Sequence, residues 1–211
     1  MSSEKKHIQA HYGSEDDIWK RLCQKLDQGV AHKNHPWNKA VVSTVSEQWP
    51  FSEARTVILR NFEAHAFSLD FHSDWRAPKI TQLRQNTALV WLFYDENEKE
   101  QLRIAARAEI HHNNDKALAA WRLLHPGSKK IYCSNYPPGS ILKEGTPVVP
   151  QKIQSRRLSD DEVAFGFRNF CRVVTRAETI DWLKIANTGE QYRMKFQRNG
   201  SGRFTGVQVA P

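Results

Sequence analysis

The chain has 211 residues, 39% hydrophobic and 26% charged, which suits one domain with its own core. No run approaches the roughly eighteen apolar residues of a membrane span, and the N-terminal MSSEKKHIQAHYGSEDD lacks an apolar centre, so neither a transmembrane helix nor a signal peptide is expected. Cys23, Cys133 and Cys171 are too scattered for a metal motif or a disulfide framework, which points to a reducing cytoplasm. The net charge of +8 favours anionic partners, but the basic residues are spread along the chain, which fits a phosphorylated small molecule better than nucleic acid.

In chain order, residues 1–13 are polar and expected to be flexible. A helix is predicted over 15–29, with Ser14 as N-cap, acids at 15–17, Ile18, Leu22 and Leu26 at helical spacing, and Gly29 as its end. Lys39–Val45 is a β-branched strand, broken by Gln48, Trp49, Pro50 and Ser52. Strands over 55–62 and 66–72 follow, joined by a hairpin turn at 61–64. Pro78 opens a short helix over 78–85. The nearly continuous apolar run over 88–94 predicts a central, buried strand. The alternation over 101–111 puts Leu102, Ile104, Ala106, Ala108 and Ile110 on one face, and Asn114 caps a helix through Leu124. Residues 125–160, rich in proline and glycine, read as a long ordered loop or lid with a short helix near 128–133. Strands over 170–176, 179–185, 191–197 and 203–209 complete the chain, with a turn at 199–202. The sum is a single mainly β domain over 14–211 with flanking helices. A closed or partly closed antiparallel barrel suits it, because it removes exposed edges.

Three segments carry candidate chemistry. In Arg55-Thr-Val-Ile-Leu-Arg60, strand alternation puts Arg55, Val57 and Leu59 on one face and Thr56, Ile58 and Arg60 on the other. The two arginines are either solvated strand-end charges or grips for a phosphate. His72-Ser-Asp-Trp-Arg-Ala-Pro-Lys79 joins a strand to a helix start, where free N–H groups, Arg76 and Lys79 suit an anion. Equally, Asp74 could pair locally with Arg76 or Lys79. Gln101 opens a strand and could bond a ring carbonyl or ring N–H, or lie on the surface. No nucleotide-binding glycine motif is present. Adjacent His111 and His112 point to opposite faces of a strand, a poor chelate, so no metal is expected. No catalytic nucleophile is recognisable, and the catalytic residues stay unknown.

Taken in order, RTVILR at 55–60, HSDWRAPK at 72–79, NTALVWLFY at 86–94 and QLRIAARA at 101–108 resemble the pyridoxamine 5'-phosphate oxidase family. The helix with Trp121 and Arg122, Pro138-Gly139, and the ending Val209-Ala-Pro211 are similar too. The resemblance runs from about Trp37 to Pro211. It implies a split β-barrel of the six-stranded Greek-key type and a homodimer with FMN at the subunit interface. The implied FMN contacts are Arg55, Thr56, Val57, Ile58, Leu59, Arg60, His72, Ser73, Arg76, Pro78, Lys79, Gln101 and Arg193. Arg60, Trp121 and Lys129 are the implied substrate-binding residues, and Arg193 or Arg103 the implied cation beside the flavin.

The departures separate cofactor from substrate. His72 replaces a tyrosine, Ala77 a serine and Ala106 a glycine. Gly189 and Gln191 stand where family oxidases hold substrate with an arginine and a histidine, and the family's flavin-side tryptophan falls on Leu183, with Trp182 one position early. The leading expectation is an FMN-dependent oxidoreductase with a different small-molecule substrate. The alternatives are a genuine pyridoxine or pyridoxamine 5'-phosphate oxidase, and a non-catalytic flavin-binding or nucleic-acid-binding module.

Overall fold

The computed structural model describes residues 12–46, 51–153, 158–200 and 202–211. The expectations for residues 1–11 and for a strand break at 48–50 lie outside these. Nine strands are present among the described residues: β1 (Lys39–Val45), β2 (Ser52–Ile58), β3 (Asn61–Glu63), β4 (Ser68–Asp74), β5 (Ala88–Asp95), β6 (Glu100–His112), β7 (Phe170–Ile185), β8 (Gln191–Arg198) and β9 (Phe204–Val209). Neighbours pair antiparallel in the order β2-β1-β5-β6-β7-β4-β3, with β8 on the second half of β7 and β9 on β8. No described helix is long and apolar enough to cross a membrane.

The strand expected over 55–62 is two strands. At the break, the Leu59 N–H donates to the Asn38 carbonyl and the Arg60 N–H to the Asp70 carbonyl, each at 2.8 Å. The chain therefore leaves β1 and joins β4, which draws the two ends of the sheet together into a split barrel. The turn lies at 64–67, later than expected. Glu63 fixes it by accepting from the N–H groups of His65 and Ala66, and buried Phe67 takes a left-handed conformation (φ 44°). β4 accordingly runs Ser68–Asp74.

The two strands expected over 170–176 and 179–185 are the single strand β7. Ala105 pairs with Thr179 and Ala106 with Ala177, so Glu178 is the extra residue of a bulge within β7, which the strand passes without ending. β5 is central in the sheet but buried on one face only. Leu89, Trp91 and Phe93 enter the core, whereas Val90 and Tyr94 are 40% and 54% exposed.

Helix α1 (Glu15–Ala31) starts as the sequence requires. Ser14 Oγ accepts from the Asp17 N–H while the Asp17 carboxylate accepts from the Ser14 N–H. It runs past Gly29, which is buried in it. A Cβ there would meet the Trp37 carbonyl oxygen at 2.8 Å, so this glycine serves close packing, not termination. Lys25 plugs α1 onto the barrel: its Nζ donates to Asp95 at 2.8 Å and pairs with the fully buried Glu100.

Helix α2 (Pro78–Gln85) follows β4, and α3 (Asp115–Arg122), capped by Asn114, follows β6. In the segment over 125–160, α4 (Pro126–Lys129) and a 3-10 turn (Lys130–Cys133) replace the single helix expected near 128–133. Its two ends are anchored: Cys133 and Ile153 join Leu158 and Val163, the last in α5 (Asp160–Val163), in a small core of their own, while residues 135–141 between them are exposed.

Candidate functional site

Two groups of polar side chains lie on opposite faces of the sheet. The first forms where β2, β4 and α2 meet. Ser73, buried on β4, accepts from Lys79 Nζ at 3.3 Å. Arg55 points inward from β2, donating to Thr44 Oγ1 and to the Glu53 carboxylate at 2.9 Å. Thr44 in turn donates to Gln82, whose amide reaches Glu53 at 2.8 Å. Burial holds the Lys79 ammonium below its usual pKa, and the Arg55 charge lowers it further; burial also depresses Arg55. Lys79 has no carboxylate bonded to it among the described residues. Two crowded cations beside a hydroxyl are what a bound anion would relieve. A cavity of about 380 Å³ opens here, bounded by Ser73, Lys79, Tyr132, Tyr136 and Pro138.

The other sequence candidates in this region divide. Arg76 is turned to Asp74, with Nε–Oδ1 3.0 Å and Nη2–Oδ2 2.7 Å, and also donates to the Ser134 carbonyl. Its charge is thereby matched away from Lys79. Pro78 is the exposed first residue of α2, and Ala77 makes no side-chain cap where a serine could. Val57 and Leu59 are in the core. His72 is held neutral, its pKa pushed down to about 3 by burial and then by Arg60 and Arg172. It therefore offers hydrogen bonds and no charge. Arg60 lies apart from Arg55, beside His72 in a second cavity.

The second group lies on the outer face. β-Pairing aligns Gln101 with Leu183 and Leu183 with Arg193, and aligns Arg103 with Asp181. Asp181 accepts from Arg193 through both oxygens, at 2.9 and 2.8 Å, and from Arg103. These bonds hold the Asp181 carboxyl below its usual pKa against the opposing effect of burial, and raise Arg193. Thr56 and Ile58 face the same way as Val41 and Leu92. Trp182 faces inward, is fully buried and donates to Glu100 at 2.7 Å, so it does not stand in for the outward Leu183.

Trp121 is buried among Tyr132, Phe167 and Phe170, and buried Lys129 pairs with Asp160. His111 is buried, while His112 stacks on Trp75 with ring centres 4.1 Å apart. Sequence reasoning missed Asp70, Arg172 and Asp181. Asp70 had a visible signal, an acid within the otherwise apolar run around Leu69 and Phe71; the other two alternate as ordinary surface charges do.

Residues 17–112 match the family model described as pyridoxamine 5'-phosphate oxidase, FMN-binding domain. The chain is structurally similar to a pyridoxamine 5'-phosphate oxidase-related, FMN-binding protein from Nostoc punctiforme, with a TM-score of 0.69 and 20% identity over 91% of this chain and 96% of that one. It is also similar to PhzG from Burkholderia lata in complex with tetrahydrophenazine-1-carboxylic acid, with a TM-score of 0.66 and 12% identity over 100% and 98% of the two chains. A third similar structure is a general stress protein 26-related protein of the pyridoxinephosphate oxidase family from Clostridium acetobutylicum, with a TM-score of 0.53 and 9% identity over 85% and 95%. No match was found among curated proteins. The fold is the split barrel of FMN-binding proteins. The match over residues 17–112 is to an FMN-binding domain of the pyridoxamine 5'-phosphate oxidase type, and FMN is the cofactor of that domain.

Proposed function

We propose that the protein is an FMN-dependent oxidoreductase acting on a small molecule, and that two copies enclose the flavin. The carrying observation is the uncompensated Lys79 ammonium crowded by Arg55 beside Ser73. These residues fit the FMN phosphate, with His72 as an uncharged neighbour. When bound, FMN supplies hydride transfer; the chain supplies binding, orientation and charge. Gln101 would reach the flavin ring. Arg193, fixed by Asp181, would present positive charge where electron density gathers on reduction.

The dimer reading rests on the outer face, where Val41, Val90, Leu92 and Tyr94 lie beside Gln101 and Arg103. Burying that face against a second copy would remove exposed apolar surface and bring the outer polar group of one copy to the phosphate group of the other. The absorption spectrum of the purified protein, followed by FMN titration, tests the proposal. A colourless protein that takes up no added FMN would falsify it, and steeply salt-dependent DNA binding by such a protein would favour a nucleic-acid module.

The reading as a genuine pyridoxamine 5'-phosphate oxidase is weaker. Gly189 lies in a left-handed turn, Gln191 only opens β8, and the nearby Arg193 is committed to Asp181. Peroxide release on adding pyridoxamine 5'-phosphate to the FMN-loaded protein would establish that activity. We expect none.

A further inference from the structure

A second cavity, of about 300 Å³, shares the wall formed by His72 with the phosphate-site cavity. One side is polar, with Arg60, Asp70, His72 and Arg172; the other is an apolar shelf from α3 that ends in Leu123 and Leu124. The charges in it can be assigned one by one. Arg172 donates through Nε to Asp70 Oδ2 at 2.6 Å and pairs with the same oxygen through Nη2, and Asp70 is only 2% exposed. That pair is internally neutral. His72 sits among these arginines as the uncharged imidazole, and its Nδ1 has no hydrogen-bond partner. The Arg60 guanidinium has no side-chain partner among the described residues. One net positive charge remains, set against an apolar wall. Leu123, 88% exposed, extends that wall to the rim.

We propose that this cavity holds the substrate and selects a singly charged organic acid with an apolar body over a doubly charged phosphate ester. This inference rests on the flavoprotein reading above. A monoanion matches Arg60 one to one, and its body covers Leu123 and Leu124. A dianion would leave one charge unmatched in a site that already keeps His72 neutral. A neutral molecule would leave Arg60 desolvated without a partner. The volume lies at the small end of ligand pockets and suits one compact ring system.

The test is calorimetric titration of the FMN-loaded protein with benzoate, phenyl phosphate and benzyl alcohol. Benzoate is expected to bind at least tenfold more tightly than either of the others. Arg60→Gln should weaken benzoate at least tenfold, and Arg60→Lys should restore part of the loss. Ala119→Phe, at an exposed position of α3 that lines the cavity, should block benzoate while FMN content and thermal stability stay at wild-type values. The proposal is overturned if phenyl phosphate or benzyl alcohol binds as well as benzoate, if Ala119→Phe leaves benzoate binding intact, or if bound benzoate leaves the flavin spectrum unchanged. Failure to take up FMN instead overturns the flavoprotein reading, and the heat of benzoate binding, which needs no flavin signal, separates the two.

Discussion

In the proposed phosphate site, cofactor retention would turn on Lys79. Its ammonium is partly buried and repelled by Arg55, so the apo site is electrostatically poor until an anion enters. Lys79→Met removes one charge-assisted hydrogen bond, worth about 1.5–3 kcal/mol, and should weaken FMN roughly 10- to 100-fold in equilibrium dialysis. Asp181 has the opposite duty. It cancels one of two arginines on the outer face, so Asp181→Asn leaves Arg103 and Arg193 both unmatched. With FMN retained, the two-electron potential should rise by about 30 mV or more, a tenfold shift in the reduction equilibrium. A potential equal to wild type would remove Arg193 from the flavin's surroundings. His72 gives a pH signature. Its folded pKa of about 3 lies below the ordinary 6.5, so below 6.5 the unfolded chain binds the extra proton. The stability it contributes is present above that value and is lost as pH falls towards about 3. Urea denaturation at steps through this window should show a shallower loss for His72→Asn than for wild type.

At the scale of elements, the docking of α1 depends on one buried charge. Lys25 joins Asp95 and Glu100 at the β5–β6 turn, and Glu100 also accepts from Trp182. Lys25→Met strands a buried carboxylate and should cost about 3–5 kcal/mol in chemical denaturation. Adding Glu100→Gln should recover part of that loss. Elements of this kind were legible in the sequence where their signals are local. The Ser14 cap, Pro78, Asn114 and the alternation of β6 each specify structure within a few residues. The breaks were not legible. β2 ends at Ile58 because Leu59 and Arg60 find backbone acceptors at Asn38 and Asp70, and nothing within 55–62 announces either partner. β7 continues because Glu178 is accommodated as a bulge opposite Ala105 and Ala106, and pairing resumes on either side of it. The site divides in the same way. Ser73 and Lys79 come together across one short turn, and the local pairing open to Arg76 is the one Asp74 takes. Arg60 and Arg172 belong to one cavity only through the β3–β4–β7 pairings, which no spacing rule reveals.

At the scale of the whole molecule, the question is how the two polar groups could serve one flavin. They lie on opposite faces of one sheet, so within a single copy the sheet separates them. In the proposed dimer, a second copy packed on the outer face would supply the missing half. Val90→Arg, at a half-exposed position in the middle of that face, should leave the barrel folded but shift the protein to a monomer in sedimentation velocity and strip most of its FMN. A dimer that persists in this variant, with FMN bound, would place the interface elsewhere.

The course of β7 has a consequence for how this site fails. Along one edge it is bonded to β6 throughout; along the other it is bonded first to β4, which carries Ser73, and then to β8, which carries Arg193. At the crossover, where neither partner covers it, the Ala177 N–H still donates to the Phe67 carbonyl. Its amides should therefore be among the slowest to exchange with deuterated solvent, released only by global opening. The phosphate-side and ring-side residues then share one protection free energy. Such a site is not lost by fraying at either end: it is intact or absent in each molecule, and a destabilising change anywhere along β7 should lower the fraction of competent protein without altering the chemistry of the molecules that remain folded.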